Sequence, residues 1–199
     1  HLVFVDNGRR VISCSRDKLV FVWKVGSFEK ERTIAIFESV EAIQLVPFKH
    51  LAVINQKTLK GSGSGGGGGD SHSTLITAGE SGFLKVWDYN SGKLLFTQTN
   101  SLLRVKNSTT SDEQKSEEDE SAKEQYTLIE QLIYSSAKRH LIAVSFDKDI
   151  IFHDVANLSP IRQLVGQNEE ILDIQLVGTE QEHIAVAANS PKIKVFELA

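Results

Sequence analysis

The sequence has no methionine, a single cysteine, only three prolines, and no apolar run that approaches a membrane span. With Cys14 alone no internal disulfide can form, which fits a reducing compartment and leaves a packed core to hold the fold together. A spanning helix needs about 18 or more apolar residues in succession, and no such run occurs. No basic-then-apolar signal segment opens the chain either. Position 1 is His1 rather than Met, so the sequence is expected to be a piece of a longer protein.

Chemistry-bearing motifs are equally scarce. The six histidines, at 1, 50, 72, 140, 153 and 183, show no HxxxH or Cys/His spacing that would build a zinc site. No nucleophile elbow, Walker loop or kinase phrase is present. Cys14 falls inside an apolar strand pattern with no histidine placed to activate it, so it reads as an inert packed thiol. No catalytic residue, metal ligand or cofactor is expected, and no small-molecule substrate.

Excess charge of one sign is also missing once it is located. Net charge is −4, yet residues 111–125, SDEQKSEEDESAKEQ, hold seven acids against two lysines. The rest carries 19 acids and 20 bases, with no basic stripe in the sequence to mark nucleic-acid binding.

What the chain does have is a repeat. RDKLVFVWKV, ESGFLKVWDY, FDKDIIFHDV and NSPKIKVFEL align on Trp23, Trp87, His153 and Phe196, with Asp17, Ser81, Asp147 and Ser190 six residues earlier. A strand-like run precedes each turn and another precedes that; a looser strand follows the aromatic position in three units (RTIAIF, KLLFTQT, IRQLV). Each unit reads as a four-stranded antiparallel meander. In LVFVW, Leu19, Phe21 and Trp23 point one way and Val20 and Val22 the other, so both faces are apolar. An isolated sheet cannot hide two such faces; a stack of similar sheets can, and closing the stack into a ring also protects the edges.

The aromatic positions are 64, 66 and 43 residues apart. Blades of a β-propeller repeat every 40–45 residues or so, which leaves one insertion in each longer unit. The first, near 56–72, contains KGSGSGGGGGD and should be a flexible tether, since glycine at that density cannot repay its ordering entropy. It is no phosphate loop, because no Gly-Lys-Ser/Thr follows. The second, near 104–125, is the acidic segment and should be disordered. Within it Thr110 and Ser116 each have an acid three residues on, which makes them candidate phosphorylation sites for an acid-directed kinase.

The expected fold is therefore all-β: about four four-stranded blades of a WD-repeat propeller over residues 1–199, as part of a seven-bladed ring. Ser13, Asp17 and Trp23 match three places of the WD hydrogen-bonded set, Thr77 and Trp87 match two, and Asp147 matches one. His153 stands where the third Trp belongs, as a core residue, and Phe196 keeps only the position.

Three longer stretches carry a resemblance: SRDKLVFVWKV with RTIAIFESVEAIQLVP, then LITAGESGFLKVWDYNSGKLLFTQ, then EEILDIQLVGTEQEHIAVAANSPKIKVFEL. They resemble the transducin-beta-like WD-repeat family of the small-subunit processome, over nearly all of the chain except the two insertions. That resemblance implies a nucleolar, non-catalytic scaffold in ribosome biogenesis, in the later half of a first propeller. The implied partners are other WD-repeat proteins of the UtpB subcomplex, with the small nucleolar RNP and pre-rRNA met through them. The rival readings are a WD-repeat substrate adaptor of a ubiquitin ligase and a propeller enzyme with convergent acids in its channel.

Overall fold

The computed structural model describes residues 1–54, 73–99, 127–165 and 167–198. They form four antiparallel meanders. The first sheet holds β1 (Leu2–Val5), β2 (Arg10–Cys14), β3 (Leu19–Lys24) and β4 (Lys30–Ala35). The second holds β5 (Val40–Pro47), β6 (Ser73–Gly79), β7 (Leu84–Asp88) and β8 (Lys93–Gln98). The third holds β9 (Ile129–Ser135), β10 (His140–Ser145), β11 (Ile150–Asp154) and β12 (Pro160–Leu164). The fourth has three strands, β13 (Ile171–Val177), β14 (His183–Ala188) and β15 (Ile193–Glu197). Both expected insertions, and with them Thr110 and Ser116, lie outside the described residues.

Local sequence explains the meanders. In the turns after β2, β6 and β10 the residue that follows Asp17, Ser81 or Asp147 is left-handed: Lys18 at φ 69°, Gly82 at φ 70° and Lys148 at φ 69°. The preceding Asp17 closes its turn by accepting the Leu19 amide at 3.1 Å, the local bond that suits Asp to such turns. Within the strands, alternation sends Val20 and Val22 to one face, both buried, and Phe21 and Trp23 to the other, both half-buried. The first strands of the second, third and fourth sheets carry a bulge near their start, at Glu41 in β5, Glu130 in β9 and Leu172 in β13, whereas β1 pairs in unbroken register. A bulge bends its strand and re-aims the extra side chain.

The four sheets stack in chain order around three apolar seams. Ile12, Val20 and Val22 of the first sheet meet Ile43, Leu75 and Trp87 of the second. Ile76, Leu84 and Val86, on the opposite face of the second sheet, meet Leu132, Leu141 and Ala143 of the third. Ile142, Ile150 and Phe152 meet Ile174, Ile184 and Val186 of the fourth. Gly79 is required where sheets are linked, because a Cβ there would collide with the backbone carbonyl of Ser39. Two apolar faces remain at the ends of the stack: Leu2 and Phe4 on the first sheet, Ile193 and Val195 on the fourth, all exposed.

Antiparallel order sorts the connections onto two rims. The linking rim carries the sheet-to-sheet crossings and the turns β2–β3, β6–β7, β10–β11 and β14–β15. The hairpin rim carries the turns from first to second and from third to fourth strands. β5 thus ends and β6 begins on the hairpin rim, and β8 ends and β9 begins on the linking rim.

Candidate interaction surface

The repeat positions differ in what they bond. The Trp23 indole donates from Nε1 to Ser13 Oγ at 2.9 Å on a half-buried face. The Trp87 indole donates to Thr77 Oγ1 at 3.0 Å inside the seam between the first two sheets. Register explains the third unit: Ala143 pairs with Ile151 as Thr77 pairs with Lys85, so an alanine stands in the place of the Thr77 hydroxyl. His153 is fully buried. Phe196 faces the seam with the third sheet, on the same side of its sheet as the tryptophans, and Val186 stands where the hydroxyl would be. Cys14 is buried, and burial pushes its thiol up out of the reactive range.

The linking rim gathers carboxylates. Arg16 Nε pairs with Glu41 at 2.7 Å, and Lys85 Nζ with Glu38 at 2.5 Å, while Glu38 also accepts the Ser81 amide at 2.8 Å. Asp147 accepts the Thr127 hydroxyl at 2.7 Å, tying the third sheet's first crossing to its turn. Burial, then the charges of Glu170 and Glu41, push the Glu130 carboxyl above its ordinary range. Phe37 and Phe146 stand on the same rim, 85% and 66% exposed.

The hairpin rim has the opposite character over the first three sheets. Arg9, Lys24, Lys30, Lys49, Lys93, Lys138 and Arg139 lie in or beside its turns, and none makes an ion pair among the described residues. Its carboxylates are engaged locally. Asp6 and Glu31 pair with Arg10, Asp88 accepts the Asn90 amide and the Ser91 hydroxyl, and Asp154 accepts the Ala156 amide. The turn of the fourth sheet, with Glu180 and Glu182, is acidic without a cation.

Side chains on this rim also stitch neighbouring sheets. Arg10 donates to Asn90 Oδ1 at 2.9 Å and lies over the Tyr89 ring, while Arg32 donates to the Ser91 carbonyl at 3.2 Å. The loop after β5 folds beneath the third sheet: His50 bonds to the Tyr134 hydroxyl, and the Val53 amide donates to the Ala156 carbonyl at 3.1 Å. Gln181 accepts from Ser135 Oγ at 2.9 Å. These partners are 46 or more positions apart in sequence, and no local pattern announces them. The near-neutral sum of charges likewise hides a segregation that appears only when turns are sorted by rim.

Meanders stacked face to face, with indole-to-hydroxyl bonds bridging their second and third strands, define a set of WD-repeat propeller blades. Proteins of this class act as protein-interaction scaffolds, and among the described residues no group of three potential metal ligands occurs. The WD domain, G-beta repeat family model matches residues 1–24. Over 200 residues the chain is 30% identical to transducin beta-like protein 3 of Rattus norvegicus, covering 99% of this chain and 20% of that protein. The Mus musculus protein of that name matches equally, and the Homo sapiens one is 28% identical over 197 residues, again 99% of this chain and 20% of the relative. The chain thus spans 20% of the length of these curated relatives.

Proposed function

We propose that the chain is the later half of a first, seven-bladed propeller in a nucleolar scaffold of the small-subunit processome. In that role it joins other WD-repeat proteins in the UtpB subcomplex and supports pre-rRNA processing for the small ribosomal subunit. The observation that carries the reading is the 30% identity to transducin beta-like protein 3 along 99% of the chain, together with the transducin-beta-like phrases noted in the sequence. The geometry agrees with a scaffold: rigid seams hold two loop-bearing rims, and loops on a rigid frame are where contacts are made. The apolar faces of the first and fourth sheets are the sides on which further blades of the ring would sit.

Affinity purification of the full-length protein from nucleolar extract tests this. UtpB WD-repeat proteins should co-purify, and depletion should slow maturation of small-subunit rRNA. Recovery of cullin-type ligase subunits instead, or unchanged rRNA processing after depletion, would overturn it.

A further inference from the structure

We propose that a cavity between the third and fourth sheets receives a tyrosine or phenylalanine side chain of a partner protein, one flanked by acidic residues. The site rests on the scaffold reading for its partner and stands or falls by a separate test.

The cavity holds about 260 Å³ and lies where β10 begins and β15 ends. His140, Phe152, Ile161 and Arg162 of the third sheet line it, with Leu198 just after β15. The repeat supplies an internal comparison, because the seam between the first two sheets presents the same positions with other residues. Counted from Trp23 and His153, Arg10 corresponds to His140, Val22 to Phe152 and Arg32 to Arg162. Counted from Trp87 and Phe196, Tyr89 corresponds to Leu198. In the first seam the Tyr89 ring fills this place, 4% exposed, with the Arg10 guanidinium 5.3 Å from its centroid. Asp6, Glu31 and Asn90 hold Arg10 there. In the last seam His140 and Leu198 are both shorter than their counterparts, and the larger Phe152 does not close the gap.

The lining selects its occupant. The rings of His140 and Phe152 meet edge to face with centroids 6.4 Å apart, and such walls take a further aromatic ring favourably. Burial, opposed by Asp154 and aided by Lys138 and Arg162, holds His140 below its ordinary value, so it joins the wall as a neutral ring. Arg162 is the fixed charge of the lining. Its guanidinium lies 5.5 Å from the Phe152 centroid and donates to the Glu197 carbonyl at 3.5 Å. It has no carboxylate partner among the described residues. An incoming ring gives that cation a second aromatic face, and an adjacent carboxylate gives it a counter-charge. The volume falls short of the roughly 300–1,000 Å³ that hold drug-sized ligands, which favours one side chain over a free small molecule.

Saturation-transfer NMR on the full-length protein is the test, with a pentapeptide whose central tyrosine is flanked by aspartates as the probe. The tyrosine ring protons should receive the transfer, and a copy with alanine in the tyrosine's place should not bind. Arg162→Leu should weaken the affinity about threefold or more, the loss of one cation–π contact. Ile161→Ser, at an exposed wall position, should also weaken it. Leu198→Tyr, which copies the first seam, should abolish binding without lowering the midpoint of thermal unfolding. Arg32→Leu, the matching position of the filled seam, should leave the affinity unchanged. Absence of binding overturns the proposal. So do equal binding of the alanine copy and an unchanged affinity in folded Arg162→Leu or Leu198→Tyr. None of these results touches the scaffold reading, whose test is the recovered partners and the rRNA readout.

Discussion

Trp23 and Trp87 make the same bond in different places. Each indole donates to a hydroxyl on the neighbouring strand, at 2.9 Å and 3.0 Å. Trp87 is nevertheless 6% exposed within a seam, whereas Trp23 lies half-buried on the first sheet's outer face. The hydrogen bond belongs to the hairpin, and the burial belongs to the neighbour. A blade's identifying polar contact can therefore form where most of its packing energy does not. The third unit shows the converse: with Ala143 in the hydroxyl place and His153 in the indole place, the seam is still filled. Packing, worth about 25 cal/mol for each Å² of apolar surface buried, holds the stack, and a single net hydrogen bond of about 1 kcal/mol adjusts it.

Several substitutions can break or sharpen that contrast. The largest effect is expected from Trp87→Ala, which should cost about 3–5 kcal/mol in urea unfolding, as emptied aromatic sites in cores do. Trp23→Ala should cost less than half of that; equal losses would mean that local bonding rather than the seam sets stability. Next in size, Thr77→Val strands a buried indole N–H and should cost about 1–3 kcal/mol. At the half-exposed site, Ser13→Ala should cost well under that, because water can replace the hydroxyl. If the two hydroxyl losses are alike in thermal unfolding, burial is not what separates the sites.

The smallest effect concerns the linking rim. Because the Glu130 carboxyl is raised in the folded state, by burial and then by Glu170 and Glu41, its contribution is favourable below the unfolded carboxyl range. That contribution is lost as pH rises through the folded value. Glu130→Gln should therefore stabilise the chain slightly at pH 7 and leave it unchanged below about pH 4, where an ordinary glutamate is already protonated. Thermal unfolding across that range checks it; stabilisation that persists in acid would point to a cause other than charge crowding.

Much of this architecture was legible in the sequence because strand alternation and turn chemistry are local. The phrase RDKLVFVW carries its own turn, with Asp17 bonding the Leu19 amide, and its own period of two. Phe196 could be aligned with the tryptophans by spacing alone, and it faces the corresponding seam. What stayed hidden depends on residues far apart in the chain. Arg10 with Asn90, His50 with Tyr134 and Gln181 with Ser135 meet only because the sheets stack. The charge split between rims was hidden for another reason. Successive turns alternate between rims, so acids and bases that are segregated in space are interleaved along the sequence and cancel in any window. Residues 48–54, which follow β5, likewise dock Leu51 and Ile54 into the seam between the second and third sheets.

The central claim is that neighbouring sheets, and not the indole bonds, protect the blades. The chain holds two tryptophans, so it gives two indole N–H resonances, assignable with Trp23→Phe and Trp87→Phe. Their hydrogen–deuterium exchange rates test the claim most directly. Trp87 should exchange far more slowly than Trp23 although both are hydrogen-bonded. Equal rates, or slower exchange at Trp23, would contradict it.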